Sequence, residues 1–238
     1  IVNKKEMFSD FCLNKCVLAA KGEYIHFLMP DTEITPNTEE KLIQFLDNNP
    51  QVGAVTSKIA YPDGKFQKNI SREHTLLEIF LNYTFLGKIF HTRKKIINYL
   101  LDYKDIKDWN ANYEIEDCGL THMVVRKEVF NKIGLFDFCI KMYFAENDFC
   151  MRIRRNGWKI YYLGCGMVYH QLRGAVKKNK LKKIAKIYEQ DLIKFTRKYY
   201  GMFYTVPLIF LLIITNFLIS IKYKKPTRIL ERFLVDSE

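Results

Sequence analysis

The stretch Glu23-Tyr24-Ile25-His26-Phe27-Leu28-Met29-Pro30-Asp31 decides the fold. Its mostly apolar residues lie between Gly22 and Pro30, the length and composition of a short buried strand in a parallel or mixed sheet. Asp31 then falls at the C-terminal end of that strand, the edge of an open α/β sheet where ligands bind. Just downstream, Thr35 and Pro36 suit the cap and first position of a helix. Its apolar stripe of Leu42, Ile43, Phe45 and Leu46 ends at Asp47-Asn48-Asn49-Pro50. Val52 to Ala60 is rich in β-branched residues and runs into Tyr61-Pro62-Asp63-Gly64, a turn signal followed by Lys65-Phe66. Strand, helix, strand and turn in this order give an α/β fold, a Rossmann-like mixed sheet flanked by helices.

Residues 71–108 mix aromatics, Leu and Lys without a clean period and read as a helical or loop insertion. Regularity returns with a strand over Gly119 to Arg126, a short helix over Lys127 to Lys132 and a stop at Gly134. Glu146 to Asn156 reads as a helix, with Phe149 and Ile153 four apart and Gly157 at the position after its cap. Trp158 to Leu163 reads as a further strand. Leu181 to Tyr199 is a basic amphipathic helix with Ile184, Tyr188, Leu192 and Phe195 on one side. Met202 to Ile221 follows, uncharged and long enough to cross a bilayer. Pro207, Thr215, Asn216 and Ser220 interrupt its apolar character, so a helix lying in the membrane interface suits the same residues. Four segments result: an α/β part over 1–175, a basic amphipathic helix over 176–201, a transmembrane or interfacial helix over 202–221 and a basic tail over 222–238.

The formal charge of +12 is unevenly placed. Between Gln171 and Gly201 there are 10 Lys/Arg against 2 Asp/Glu, and Lys222 to Glu238 adds 5 against 3. That excess flanks the apolar segment, a pattern of membrane-surface electrostatics, and leaves the first 170 residues near neutral. Nucleic acid is therefore not an expected partner. The six cysteines include no CxxC pair, which fits a reducing, cytosolic compartment. Cys12 and Cys16 lack a second metal-binding pair nearby and read as buried apolar thiols.

Three groups of residues carry potential chemistry. Asp31 and Glu33, just past the apolar strand, would make an oxygen-rich site for Mg²⁺ or Mn²⁺ beside phosphates; shaping the turn and capping the next helix accounts for them equally. Glu146-Asn147-Asp148 opens a helix, where the positive end of the dipole favours an ionised carboxylate. Positions two apart do not share a helix face, so one of Glu146 and Asp148 faces a cleft; capping with ion pairs to Arg152 or Arg155 is the bland reading. His170 follows a strand-like stretch ending at Tyr169 and precedes Gln171-Leu172-Arg173-Gly174, which places it in a loop, and it gains a role only if Asp31 converges on it.

Together these segments resemble family 2 glycosyltransferases, the inverting GT-A enzymes that include bacterial rhamnosyl- and galactofuranosyl-transferases. The resemblance spans residues 8–200. Ala20 to Ile34 looks like the family's strand carrying the metal-binding DxD element, with Met29 at the first acidic position and Asp31 as the ligand. Cys118-Gly119 through Phe130, then Ile133-Gly134-Leu135-Phe136-Asp137, resembles the acceptor-side strand, helix and turn. Phe144-Ala145-Glu146-Asn147-Asp148-Phe149-Cys150 is similar to Glu-Asp-x-Asp-Leu-Cys, so Glu146 stands where the catalytic Asp is usual and Ala145 where its preceding Glu is usual.

The resemblance implies Glu146 as catalytic base, Asp31 and Gly119 as cofactor-binding residues, and a divalent metal, Mg²⁺ or Mn²⁺, held by Asp31, His170 and more weakly Glu33. It implies a nucleotide-diphosphate sugar as donor and a glycan or polyprenyl-linked acceptor, as in polysaccharide and cell-envelope assembly. The catalytic part is expected to face the cytoplasm at the inner or plasma membrane, in line with the positive-inside rule. The resemblance implies that the family's N-terminal nucleotide-binding strands are missing from this chain, so weak donor binding by it alone is expected. The rival reading is an inactive, membrane-attached scaffold or regulatory protein of the same fold.

Overall fold

The computed structural model describes residues 9–89, 93–103, 106–171 and 181–223. Phe8, most of the stretch that opens the basic region (172–180) and the tail beyond 223 lie outside them. The elements, in chain order, are α1 (Ser9–Ala19), β1 (Tyr24–Leu28), β2 (Thr32–Ile34), α2 (Thr38–Asn48), β3 (Val52–Ala60), β4 (Phe66–Gln67) and β5 (Ile70–Ser71). Three helices follow, α3 (Leu76–Tyr83), α4 (Leu86–Ile89) and α5 (Arg93–Leu101), then β6 (Tyr113–Ile115), β7 (Asp117–Cys118), β8 (His122–Arg126), α6 (Lys127–Ile133), α7 (Ala145–Arg155), β9 (Lys159–His170), α8 (Leu181–Tyr200) and α9 (Met202–Tyr223).

The main sheet runs β1-β8-β3-β9-β2, with β4 beside β3 and β6 beside β9. β8 is antiparallel to both β1 and β3, and β3 is parallel to β9, so β1, β3 and β9 point the same way. Their C-terminal ends form one rim. β2, three residues beyond β1, crosses that rim to pair with the last residues of β9. This is the mixed α/β architecture read from the sequence, with helices on both faces.

Alternation along β1 sends Ile25 and Phe27 into the main core, where Phe27 meets Phe136 at 5.5 Å, and Phe130 stacks on Phe149 at 4.9 Å. On the opposite face the α2 stripe packs Leu42 and Leu46, both fully buried, against Val52, Val55, Val124 and Leu163. Each such leucine contributes roughly 1.5–3 kcal/mol of burial. Asn14 of α1 fixes the Gly134-Leu135-Phe136 turn by accepting from the Phe136 N–H and donating to its carbonyl, both at 2.9 Å.

Several local expectations are corrected. α2 starts at Thr38, not Pro36: its N-cap is Asn37, left-handed at φ 61° and without a side-chain cap bond. Thr35 is instead tied to β9, its N–H and hydroxyl both donating to the Met167 carbonyl. β9 runs unbroken from Lys159 through the strand-like stretch ending at Tyr169, which takes His170 out of a loop and into the end of the strand. The 71–108 region agrees with the helical or loop reading, carrying α3, α4 and α5 after β5 ends at Ser71. Cys16 is exposed and Cys12 half-buried, so neither is the buried apolar thiol expected; of the six cysteines only Cys118 and Cys150 are buried.

Candidate active site

Asp31 lies in the turn between β1 and β2, its carbonyl accepting from the Gln171 N–H at 3.0 Å. That bond holds the turn against the end of β9, where His170 faces Thr32 across the ladder. His170 Nε2 comes within 3.3 Å of Asp31 Oδ1, and its Nδ1 lies 3.1 Å from Gln67 Oε1 of β4. Gln67 Oε1 can only accept, so this bond puts the proton on Nδ1 and turns the Nε2 lone pair toward Asp31. A buried imidazole nitrogen and a carboxylate oxygen side by side, with the imidazole braced from behind, fit a divalent ion such as Mn²⁺. Glu33 is exposed, opposite Tyr169, and does not converge with the pair to within 4.8 Å.

Glu146 is the second residue of α7, and its place depends on the segment before the helix. Phe144 there is left-handed at φ 62°, a conformation that costs a bulky residue about 1–3 kcal/mol. Two sets of contacts hold it. Its ring is buried among His74, Tyr83, Tyr188 and Phe195. The fully buried Asp191 of α8 accepts from the N–H groups of Lys141, Met142 and Tyr143 at 3.1, 2.9 and 3.1 Å.

Glu146 and Asp148 part as helical spacing requires. Asp148 is fully buried and locked to α8 and its own helix, accepting from Arg152 Nε at 2.9 Å and Tyr199 Oη at 2.7 Å and pairing with Lys198. Ala145 is buried in the core. Glu146 instead faces a cavity of about 730 Å³ whose walls are β1 with Met29 and Pro30, the Gly119-Leu120-Thr121 segment, Met142 and Tyr143. Asp31 follows Pro30 directly, and β1 has only β8 as a strand neighbour among the described residues. Gly119 is anchored by its N–H to the Asn69 carbonyl at 3.0 Å.

Burial pushes the Glu146 carboxyl up to about 7, with the nearby Asp117 charge adding to the effect and its own backbone bond and His74 opposing it. Desolvation outweighs the helix dipole, so the expectation of a readily ionised group at a helix start is revised. Asp117, likewise raised by burial to about 6, accepts from Asn147. His74 binds Glu78 at 2.7 Å. Burial alone would lower its imidazole, but the bond to Glu78 and the charges of Glu78, Asp117 and Glu146 outweigh that and raise it. Sequence reasoning missed Asp117, His74 and Glu78: they lie in or beside an aperiodic region, and only tertiary packing brings them to Glu146.

The mixed α/β sheet thus carries a carboxylate–imidazole pair on its C-terminal rim and a carboxylate of raised proton affinity in the adjoining cavity. The family described as Glycosyl transferase family 2 matches residues 12–134. The chain belongs to that family. No curated protein sequence matches it. Among solved structures, one described as GalNAc-T7 with UDP, GalNAc and Mn²⁺ is similar at 15% identity and a TM-score of 0.49, covering 79% of this chain and 35% of that one. Another, described as a mycobacterial protein, shares 14% identity with a TM-score of 0.44, covering 82% of this chain and 52% of that one. The chain thus spans about a third to a half of the length of these structures.

Proposed function

We propose that this chain carries the acceptor-side catalytic machinery of an inverting glycosyltransferase that moves a sugar from a nucleotide-diphosphate donor to a hydroxyl of a glycan or polyprenyl-linked acceptor. The observation that carries the reading is Glu146 in the cavity wall, its proton affinity raised to about 7, where a general base works best at neutral pH. Glu146 takes the proton of the acceptor hydroxyl as that oxygen bonds to the anomeric carbon. The bond from that carbon to the diphosphate oxygen breaks on the opposite side, and its electron pair leaves with the diphosphate. Asp31 and His170 would hold a divalent ion, which when bound neutralises charge on the departing diphosphate.

The test is metal-dependent transfer from nucleotide sugars to lipid-linked and free glycan acceptors. Asp31→Asn and His170→Gln should each lower transfer by at least about 100-fold, as the loss of a charge-stabilising group does. Transfer that proceeds unaffected in both variants overturns the assignment.

Attachment to a membrane is supported by α9, with a mean hydropathy of 2.2 over Met202–Lys222. α9 doubles back along α8 after Gly201, burying Thr205, Leu208, Leu212, Thr215 and Ile219 and bonding through Asn216 Nδ2 to Glu189 Oε1 at 3.0 Å and through Thr215 Oγ1 to the Phe85 N–H at 2.8 Å. Phe203, Val206, Phe210, Ile213, Phe217 and Ile221 are exposed along the other side. Were this docked helix to span the bilayer, the charges of α8 would enter with it, at about 2.5–3.5 kcal/mol each. We therefore assign α9 to the interfacial alternative, lying on the cytoplasmic face of the inner or plasma membrane. The protein should co-sediment with vesicles containing anionic lipid and be released by alkaline carbonate. Phe210→Asp with Ile213→Asp should abolish co-sedimentation, and resistance of the wild type to carbonate would show a spanning helix instead.

A further inference from the structure

Three side chains from separate elements meet beside the first turn of α2, away from the Asp31–His170 pair. His26 of β1 and His122 of β8 lie edge to face with ring centroids 4.9 Å apart. Glu39 of α2 brings Oε1 to 3.9 Å from His122 Nε2, and one ligand atom from each of the three lies within 4.8 Å of the other two. His122 is fully buried. Its Nε2 and the facing Glu39 Oε1 are both buried without a hydrogen-bond partner.

Buried polar atoms in folded proteins are seldom left this way, because each one forfeits its hydration with nothing in return. On the other side of the ring, His122 Nδ1 lies 2.8 Å from Ser57 Oγ. In the tautomer that places the proton on Nδ1, the imidazole donates to Ser57 and its Nε2 lone pair faces Glu39. Two acceptors then confront one another, an arrangement that a bound cation satisfies. In the other tautomer Nε2–H faces a carboxylate oxygen at 3.9 Å, too far for a hydrogen bond.

We infer that His26, Glu39 and His122 form a binding site for a transition-metal ion of the zinc class, separate from the carboxylate–imidazole pair at the sheet rim. Two imidazoles and one carboxylate are the donor set such an ion prefers over Mg²⁺ or Ca²⁺, with a water completing four-coordination. Ser57 supplies the outer bond that aims the buried ligand. Bonds of about 2.0–2.2 Å require the ligands to close inward, which falls to His26 and Glu39, both partly solvent-accessible, around a fixed His122.

The site also has a consequence for the rim. β1 ends at Leu28 and α2 begins at Thr38, so His26 and Glu39 bracket the connection that carries Asp31 and Glu33. α2 has no side-chain cap at Asn37, and an ion on Glu39 would fasten that uncapped turn to the sheet. This positioning role rests on the reading of Asp31 given above; the binding site itself does not.

Titrating the metal-stripped protein with Co²⁺, then displacing it with Zn²⁺, tests the inference without reference to transfer activity. The expected result is one equivalent of four-coordinate Co²⁺ ligand-field absorption, displaced by Zn²⁺ and retained in Asp31→Asn. His26→Gln and Glu39→Gln should each weaken Zn²⁺ binding by at least about 100-fold, more than loss of an outer-shell partner costs. Far-UV circular dichroism confirms that each variant is folded; should His26→Gln unfold, Glu39→Gln alone decides. Absence of the bands in the wild type, their persistence in the folded ligand variants or their loss in Asp31→Asn overturns the site.

Discussion

Glu146→Gln is expected to lower turnover by roughly 10²–10⁴-fold, the usual worth of a positioned general base, while leaving binding of the nucleotide-sugar donor nearly unchanged. Gln keeps the shape of the side chain and its place in the cavity wall but cannot take a proton. Wild-type kcat/KM should rise with pH through about 7, where the buried carboxyl ionises, and the residual rate of the variant should lack that rise. Turnover retained in Glu146→Gln would remove this residue from the mechanism and strengthen the case for a different base, with Asp117 the nearest other raised carboxyl.

The same residue ties activity to stability with a definite sign. Its folded-state value lies above the ordinary 4.5, so the folded protein holds that proton more tightly than the unfolded chain does. The stabilisation is complete below about 4.5 and is lost as pH rises through about 7. Gln never ionises and escapes that loss. Glu146→Gln should therefore melt at a higher temperature than wild type at pH 8 and at a similar one near pH 4, as read by thermal denaturation across the series. An active site that works by ionising a buried carboxyl is stabilised by removing it.

Asp148→Ala should cost about 3–5 kcal/mol, the range for breaking a buried ion pair from one side. The fully buried carboxylate joins Arg152 of its own helix to Tyr199 and Lys198 of α8. Without it, the guanidinium is left with the Ile133 carbonyl, which it also reaches at 3.0 Å, and with the Phe149 ring. Urea denaturation at pH 7 measures the loss. A change below about 1 kcal/mol would mean that Arg152 and Lys198 reach solvent at little cost and that α8 docks by its apolar face alone. Two acidic residues two positions apart thus separate cleanly: a large activity effect at Glu146, a large stability effect at Asp148.

Much of the fold is written in local pattern. β1 was readable from an apolar run between Gly22 and Pro30 and β3 from its β-branched run, the Gly134 and Gly157 stops fall where positive φ is needed, and α8 buries Leu192 and Phe195 of its predicted stripe while Ile184 and Tyr188 are half-buried. The error at β9 has a specific cause. Gly164-Cys165-Gly166 looks like the end of a strand, yet the glycines sit inside one because neighbours approach too closely for any side chain. A Cβ on Gly164 would lie 2.2 Å from the Asn110 carbonyl carbon, and one on Gly166 would lie 2.6 Å from Thr38 Cγ2. The two glycines join the expected strand that starts at Trp158 to the strand-like stretch ending at Tyr169, so that one continuous strand carries His170 to Asp31.

The sequence by itself determined the α/β class, the helical setting of Glu146 and Asp148 and the apolar run that forms α9, because each depends on residues within a few turns of one another. Tertiary structure alone decided which carboxylate faces the cavity, which histidine meets Asp31, and that His26, Glu39 and His122 share one buried point. Those outcomes depend on strand register and on contacts between residues up to 140 positions apart, and on desolvation, which raised Glu146 against the pull of its own helix. No local spacing encodes them.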